Sequence, residues 1–135
     1  MARGTVVWKV PYTDEYGGGG LGSDAGTPVI SGGRVYASSA SGRLVAYDES
    51  TGARVWSSAT TDSAAQLTIP TVSGGILYAR GTSTGEAGLY AFDAATGARR
   101  WKVTLGTAAT GQGNTIPAVA NGLVYAADDN GYVYA

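Results

Sequence analysis

The fold of this chain follows from the stretch Gly88–Trp101, which reads GLYAFDAATGARRW and repeats the earlier stretch Arg43–Trp56, RLVAYDESTGARVW. The two closing tryptophans lie 45 residues apart, and the 135-residue chain is three times that length. A fixed period of this size is typical of solenoids, propellers and other arrays, in which each repeat buries its apolar face against its neighbours. The period therefore indicates architecture and assembly rather than a ligand or a reaction.

A third copy of the repeat is divided between the two ends of the chain. It begins at Thr115 and stops at Ala135, one strand short of a full repeat. The missing strand stands at the other end, where Gly4 precedes Trp8 by four residues. The same spacing ends the other two repeats, at Gly52–Trp56 and Gly97–Trp101. The sequence therefore predicts a circle of three repeats that is opened inside one hairpin.

Each repeat predicts four short strands joined by tight turns. In the first repeat the β-prone runs are Thr27–Ile30, Arg34–Ser38, Arg43–Tyr47 and Arg54–Ser57. Short β-branched and aromatic runs separated by glycine, serine and aspartate are typical of all-β structure. No amphipathic pattern with helix caps occurs, so the neighbouring strands are expected to pair antiparallel as a meander.

The turn residues recur together with the strands. Glycines stand where two-residue hairpins need positive φ, at Gly33, Gly75 and Gly122. Asn130–Gly131 predicts another hairpin turn of the same kind. Asp48 and Asp93 begin the turn that leads to the tryptophan strand, and their carboxylates are expected to accept hydrogen bonds from its backbone.

Four strands per repeat, stacked face to face around an axis, make a β-propeller blade. We therefore predict an all-β propeller module over residues 1–135, with four-stranded antiparallel blades at 27–64 and 65–108. A third blade is split between 109–135 and 1–10, and residues 11–26 form the inter-blade linker. Trp56 and Trp101 are expected between adjacent blades, where each indole fills the gap and donates its N–H to a backbone carbonyl.

Both repeated stretches, Gly88–Trp101 and Arg43–Trp56, resemble the repeat of pyrroloquinoline-quinone (PQQ)-type propellers. That family includes quinoprotein dehydrogenases, outer-membrane assembly lipoproteins and extracellular sensor domains, so the resemblance implies the fold and leaves the function open. It also implies a compartment that is often periplasmic or extracellular. Family dehydrogenases hold their quinone with an adjacent cysteine pair, a tryptophan floor and calcium ligands. This chain has no cysteine, and we predict no catalytic, cofactor-binding or metal-binding residue.

Composition excludes several classes of partner and chemistry. The net charge is −1, with 9 basic and 10 acidic residues, so no basic field is present to attract nucleic acid. The absence of histidine removes the commonest general base and transition-metal ligand. No uninterrupted apolar stretch approaches the length of a membrane span, and Met1–Gly4 has no apolar signal core. The compartment of the protein is left undetermined.

The split blade predicts assembly between copies of the chain. Three blades are too few to close a ring, and an open arc would expose apolar faces and an unpaired strand. Head-to-tail contact closes a ring instead, most simply as a six-bladed homodimer, with a nine-bladed trimer as the alternative. The residues expected to join the copies are Thr5, Val6, Val7, Trp8, Lys9 and Val10 with Tyr132, Val133 and Tyr134.

A possible ligand site is predicted on the loops near the propeller axis, where the linkers between blades meet. Its candidate residues are Asp14, Glu15, Tyr16, Asp62, Gln66, Gln112 and Asn114. The acidic segment Asp128–Gly131 has oxygen donors that suit calcium, but its spacing is not that of a calcium loop. We interpret it as a hairpin turn.

Three functions stay open at this point. The favoured one is a non-catalytic scaffold that assembles with itself and serves a structural or protein-interaction role, as a fragment or redesign of a PQQ-like propeller. A sensor or ligand-binding domain is the alternative, and it would show saturable binding at the axial loops. A fragment of a quinoprotein dehydrogenase is the third, and it would show quinone- and calcium-dependent dye reduction. The natural partner is not indicated by the sequence.

Overall fold

The computed structural model describes residues 4–10, 27–38, 43–58, 66–83, 86–107, 115–128 and 130–135. In these ranges the chain forms strands and turns without a helix, and hence without a helix that could cross a membrane. The strands are β1 (Val29–Ser31), β2 (Arg34–Ser38), β3 (Leu44–Asp48), β4 (Arg54–Ser57), β5 (Gln66–Leu67), β6 (Thr71–Ser73), β7 (Ile76–Ser83), β8 (Glu86–Asp93), β9 (Arg99–Thr107), β10 (Ala118–Ala120), β11 (Leu123–Ala127) and β12 (Val133–Tyr134).

These strands form three antiparallel sheets, here called blades 1, 2 and 3 in chain order. Blade 1 has the order β1-β2-β3-β4, which is the predicted meander. In blade 2, β5 and β6 both pair with β7, followed by β8 and β9. The interruption between β5 and β6 contains Pro70, which has no N–H to donate to a strand ladder. Blade 3 consists of β10-β11-β12. The all-β propeller prediction is confirmed for this arc of three blades.

The hairpins β1–β2, β6–β7 and β10–β11 have the predicted geometry. Gly32 and Gly33 have φ of 59° and 75°, and the strands close tightly around them with Ser31 opposite Arg34. The same pair of positive φ values recurs at Gly74–Gly75 and at Asn121–Gly122. Two-residue turns with positive φ match the right-handed twist of the strands that they join.

The two-residue turn predicted at Asn130–Gly131 is wrong. Gly131 has φ of 88°, but among the described residues Asn121 is the only non-glycine with positive φ. The loop is longer, because Asp128 N–H donates to Tyr132 O over 2.9 Å and closes three residues between them. A glycine with positive φ at the end of a three-residue loop is the next commonest hairpin solution.

The core lies between the blades rather than within any one of them. Each blade has a forward face, toward the next blade in chain order, and a rear face, and alternate residues of each strand point to opposite faces. The forward face of blade 1 meets the rear face of blade 2 in a buried cluster that includes Leu44, Leu77, Tyr90 and Phe92. Burying a leucine or phenylalanine side chain contributes about 1.5–3 kcal/mol, so each blade is stabilised by its neighbour.

Trp56 spans this seam as predicted, whereas Trp101, for which the same position was predicted, is 37% exposed. Its Nε1–H donates to Ala94 O over 3.1 Å, and its ring lies 5.9 Å from that of Tyr36, centroid to centroid. The same carbonyl accepts a hydrogen bond from Arg34 Nη1 over 3.0 Å. Gly97 lies directly under the indole, with φ of 74°, and a Cβ there would stand only 2.5 Å from Trp56 Cε3. The repeat therefore requires glycine at this position for two independent reasons.

We predict that Gly97→Asn destabilises the protein by about 2–4 kcal/mol, because an asparagine side chain would displace the Trp56 indole. Asparagine tolerates the left-handed backbone region, so backbone strain contributes little to this loss. The matched control is Gly74→Asn, because Gly74 also has positive φ (57°) and no described residue lies within 4 Å of a Cβ added to it. It should change stability by less than about 0.5 kcal/mol. Urea unfolding of both variants provides the measurement, and equal losses would contradict the explanation.

Candidate assembly interface

The forward face of blade 3 is exposed, whereas the forward faces of blades 1 and 2 are buried. Val133 occupies the repeat position of Leu44 and Leu89, and the exposed fractions of the three residues are 74%, 0% and 6%. Tyr125, at the position of the buried Tyr36, is half-buried. In the described part of the chain, no blade follows blade 3 to cover these side chains. This apolar face is a candidate interaction surface.

The outer edge of blade 3 is open as well. In blades 1 and 2 the third strand pairs with a fourth, β3 with β4 and β8 with β9. No described strand pairs with β12 on its outer side. Its unpaired backbone N–H and C=O groups are a template for another strand.

Residues 4–10, here called the arm, lie on the rear side of blade 1, where the outer strand of a preceding blade would lie. Trp8 Nε1–H donates to Glu49 O over 2.8 Å, and a Cβ on Gly52 would stand 2.7 Å from Trp8 Cδ2. Trp8 and Val10 pack on the rear face of blade 1, against the cluster Val35, Val45 and Tyr47. This arrangement reproduces the seat of Trp56 on blade 2.

The predicted assembly residues therefore lie at both ends of the arc. Val6 and Val7 are each 82% exposed, and the arm forms no strand. Tyr132 is 65% exposed, whereas Tyr134 packs on the other side, against blade 2. Within the described residues no strand pairing joins the arm to β12 in the same chain.

An aspartate orders the turn that receives Trp8 and the turn that receives Trp56, as predicted. Asp48 Oδ1 accepts hydrogen bonds from Ser50 Oγ over 2.6 Å and from Thr51 N over 2.9 Å. These bonds, the Ser50 hydroxyl first, lower the pKa of Asp48 to about 2. The carboxylate thereby fixes the backbone on which the seat of Trp8 is built.

Asp93 has the same role in the turn beneath Trp56. Arg100 Nη2 donates to Asp93 Oδ2 over 2.6 Å, and Thr96 N donates to Oδ1 over 3.0 Å. The hydrogen bond from the Arg100 guanidinium is the main cause that lowers the pKa of Asp93 to about 2, and the backbone donors add to it.

Arg80 is a buried residue that the sequence reasoning missed. It lies on β7 with 1% exposure, and its Nη1 donates to Thr115 Oγ1 over 3.0 Å, across the seam between blades 2 and 3. Thr115 Oγ1 in turn donates to Ala127 O over 2.8 Å. The signal was available in the repeat, because Ser38 and Ala127 stand at the position of Arg80 in the other two copies.

Asp128 is used by its own turn. Its Oδ1 accepts hydrogen bonds from Asn130 N and Tyr132 N, both over 2.9 Å, and its Oδ2 accepts one from Tyr134 Oη over 2.7 Å. The Tyr132 backbone donor is the main cause that lowers the pKa of Asp128, and the bond to Asp128 raises the pKa of Tyr134. The interpretation of this segment as a turn is confirmed. Within the described ranges, no group of three or more acidic, histidine or cysteine residues could hold a metal.

The predicted axial ligand site falls almost entirely outside the described residues. The candidates that lie outside them are Asp14, Glu15, Tyr16, Asp62, Gln112 and Asn114. For Gln66 the backbone alone is described, and it pairs with Thr82 at the start of blade 2. The axial site stays a prediction.

Antiparallel sheets packed face to face, with a tryptophan seated in the seam, define this protein as a segment of a β-propeller. The chain matches the family described as outer membrane protein assembly factor BamB over residues 1–135, and it belongs to that family. The predicted relation to PQQ-type propellers is thereby confirmed. A comparison with curated proteins found no match.

Solved structures support the same assignment. The chain is similar to BamB from Moraxella catarrhalis, with a TM-score of 0.58 and 26% sequence identity, covering 78% of this chain and 34% of that one. It is also similar to quinohemoprotein alcohol dehydrogenases from Comamonas testosteroni (TM-score 0.53, 27% identity, 60% of this chain and 13% of that one) and Pseudomonas putida HK5 (TM-score 0.50, 27% identity, 57% and 12%). The chain thus spans about a third of the length of BamB and less of the dehydrogenases.

We predict that Asp93→Asn flattens the dependence of stability on pH. The pKa of Asp93 is lowered in the fold from 3.8 to about 2, so its stabilising effect is complete above the unfolded pKa. That effect is lost as the pH falls from about 4 to about 2. Urea unfolding between pH 2 and pH 5 should show wild type losing stability across this window and Asp93→Asn losing less. Parallel curves for the two proteins would contradict this role of the carboxylate.

Proposed function

We propose that this chain is a non-catalytic propeller scaffold that assembles head to tail into a closed ring, most simply a six-bladed homodimer. Its role would be structural or in binding other proteins. One observation carries the proposal: Val133 is 74% exposed at a repeat position that is buried in the other two blades. The face around it needs a covering blade, and a second copy of the chain has one of suitable form.

The complementary surface is the rear face of blade 1. Inside the chain, the rear face of blade 2 covers blade 1 with Leu77, Tyr90 and Phe92. Blade 1 carries Val35, Val45 and Tyr47 at the same repeat positions on its own rear face. A second copy can therefore present to blade 3 the kind of apolar surface that blade 2 presents to blade 1.

The arm supports the same arrangement. Trp8 seats it on the rear face of blade 1, where it occupies the place of the outer strand of a preceding blade. In the proposed ring, Thr5–Val10 of one copy pairs with β12 of the other, and blade 3 gains its fourth strand. Pairing satisfies the backbone groups of both segments and removes an edge that otherwise favours aggregation.

Ring size follows from the number of blades. Two copies with three blades each make six, within the range of four to about eight that propellers usually have. Three copies would make nine and require a smaller angle between blades. The dimer is therefore the expected state and the trimer the alternative.

The absence of catalysis is part of the proposal. The chain contains no histidine and no cysteine, whereas its similarity to quinohemoprotein dehydrogenases covers 13% or less of their length. The family to which it belongs is named for an assembly factor. A role in binding other proteins follows from that name more directly than an oxidoreductase activity does.

Solution mass tests the proposal. Size-exclusion chromatography with light scattering at micromolar concentration should give twice the chain mass of 13.6 kDa. Val133→Arg, which places a charge in the proposed contact, should shift the protein toward single chains without unfolding it, because the side chain is exposed. The matched control is Val55→Arg, since blade 2 already carries Arg100 at that position. A wild-type particle of one chain mass would refute the proposal.

A further inference from the structure

The chain contains two tryptophan–glycine contacts between blades, and it carries one further tryptophan and one further glycine at the same repeat positions that do not contact each other. Trp8 covers Gly52, and Trp56 covers Gly97, in each case across the seam between an outer strand and the following blade. Trp101 stands at the equivalent position of blade 2, yet it is 37% exposed. Gly4 stands at the equivalent position before Trp8, and in the described part of the chain nothing lies within 4 Å of a Cβ added to it.

We propose that Trp101 of one copy docks on Gly4 of a second copy, and that this contact determines which surfaces of the protein assemble. The inference rests on the proposed function, because it requires the arm of one chain to complete blade 3 of another. It adds the residues that recognise the partner.

In the single chain, the Trp101 side chain already has the position that the proposed contact requires. Trp101 lies on β9 as Trp56 lies on β4, and Tyr78 supports its ring at a centroid distance of 6.0 Å and an interplanar angle of 49°. The corresponding values for Tyr36 and Trp56 are 5.9 Å and 40°. The indole is therefore held in nearly the same orientation as the one that is already seated. A preorganised aromatic side chain loses little conformational entropy on binding.

The Trp101 indole also has an available donor. The N–H groups of Trp8 and Trp56 donate to the carbonyls of Glu49 and Ala94 in the receiving turns. For Trp101, the described part of the chain contains no such acceptor. In blades 1 and 2 the acceptor lies in the turn after the third strand, and no such turn is described after β12 in blade 3.

The arm carries the complementary half at the right spacing. Gly4 precedes Trp8 by four residues, as Gly97 precedes Trp101. With Trp8 seated on its own blade 1, pairing of the arm with β12 of the other copy brings Gly4 into the turn beside that strand. One short segment thus binds its own chain through tryptophan and the partner chain through glycine.

Glycine gives this contact its specificity. In the two seats within the chain, a Cβ would lie 2.7 Å and 2.5 Å from the indole, and the glycines have φ of 72° and 74°. A side chain at Gly4 is therefore expected to exclude the Trp101 ring. Buried tryptophans at the centre of an interface are commonly the residues on which affinity depends most.

The test compares Gly4→Val and Trp101→Ala with wild type. Each variant should raise the dissociation constant of the assembly by roughly tenfold or more, measured by light scattering over a concentration series. The control is Val55→Arg, because Val55 lies on β4 outside the proposed contact and blade 2 carries Arg100 at the same repeat position, and it should leave the constant within about twofold of wild type. Circular dichroism of dilute samples verifies that each single chain is folded. Among the described residues outside its immediate chain neighbours, nothing lies within 4 Å of a Cβ built on Gly4.

Mixing the two variants shows whether they affect the same contact. In a mixed dimer, one interface combines both substitutions and the other joins an unmodified Gly4 to an unmodified Trp101. Native mass spectrometry, which separates the two chains by mass, should therefore show the mixed dimer above the share that random pairing of the two chains would give. A statistical mixture would overturn the pairing of Gly4 with Trp101.

The outcomes separate this inference from the proposed function. A wild-type dimer whose affinity is unchanged by Gly4→Val and by Trp101→Ala would overturn the docking contact and leave the ring intact. A wild type that stays a single chain at micromolar concentration would overturn both. A dimer weakened by each variant and restored in the mixture supports both.

Discussion

The structure depends on a tryptophan that lies across the seam between two blades, flat against a glycine of the next blade. The contact has three parts that need one another. An aspartate carboxylate orders the turn, the turn presents a carbonyl and a glycine, and the indole donates to the first and covers the second. Asp93, Ala94 and Gly97 supply these parts for Trp56. Because a Cβ would occupy the space of the ring, the seam holds only with glycine.

This contact explains why the fold is stabilised mainly by packing between neighbouring blades. The largest buried cluster joins blades 1 and 2, and a second joins blades 2 and 3. A blade has little interior of its own, so each apolar face needs a neighbour. At one end of the arc no described blade covers Val133, which is exposed. At the other end the arm packs on the rear face of blade 1. In the proposed assembly, the blade faces at the two ends of the arc are covered by neighbouring blades, as the faces in its middle are.

Departures from the repeat are as informative as the repeat itself. Arg80 replaces a small residue of the other copies and bonds across the seam to blade 3 through Thr115. Asp128 serves its own loop, so an acidic segment that could suggest a metal has a local use. Neither residue could be interpreted from composition, because their roles depend on which strands become neighbours.

The repeat in the sequence was sufficient to predict four-stranded antiparallel blades, the glycine hairpins and the seat of Trp56, since all of these follow from local turn chemistry and period. Within blade 1 the predicted strands match β1 to β4 to within two residues at each end. Local chemistry misjudged Asn130–Gly131, because the loop length there is set by Asp128 bonding to Tyr132. Only the tertiary structure decided which tryptophans are seated and which face stays open. That outcome depends on the presence of a following blade, and the side chains of one repeat carry no information about whether a neighbour is there to cover them.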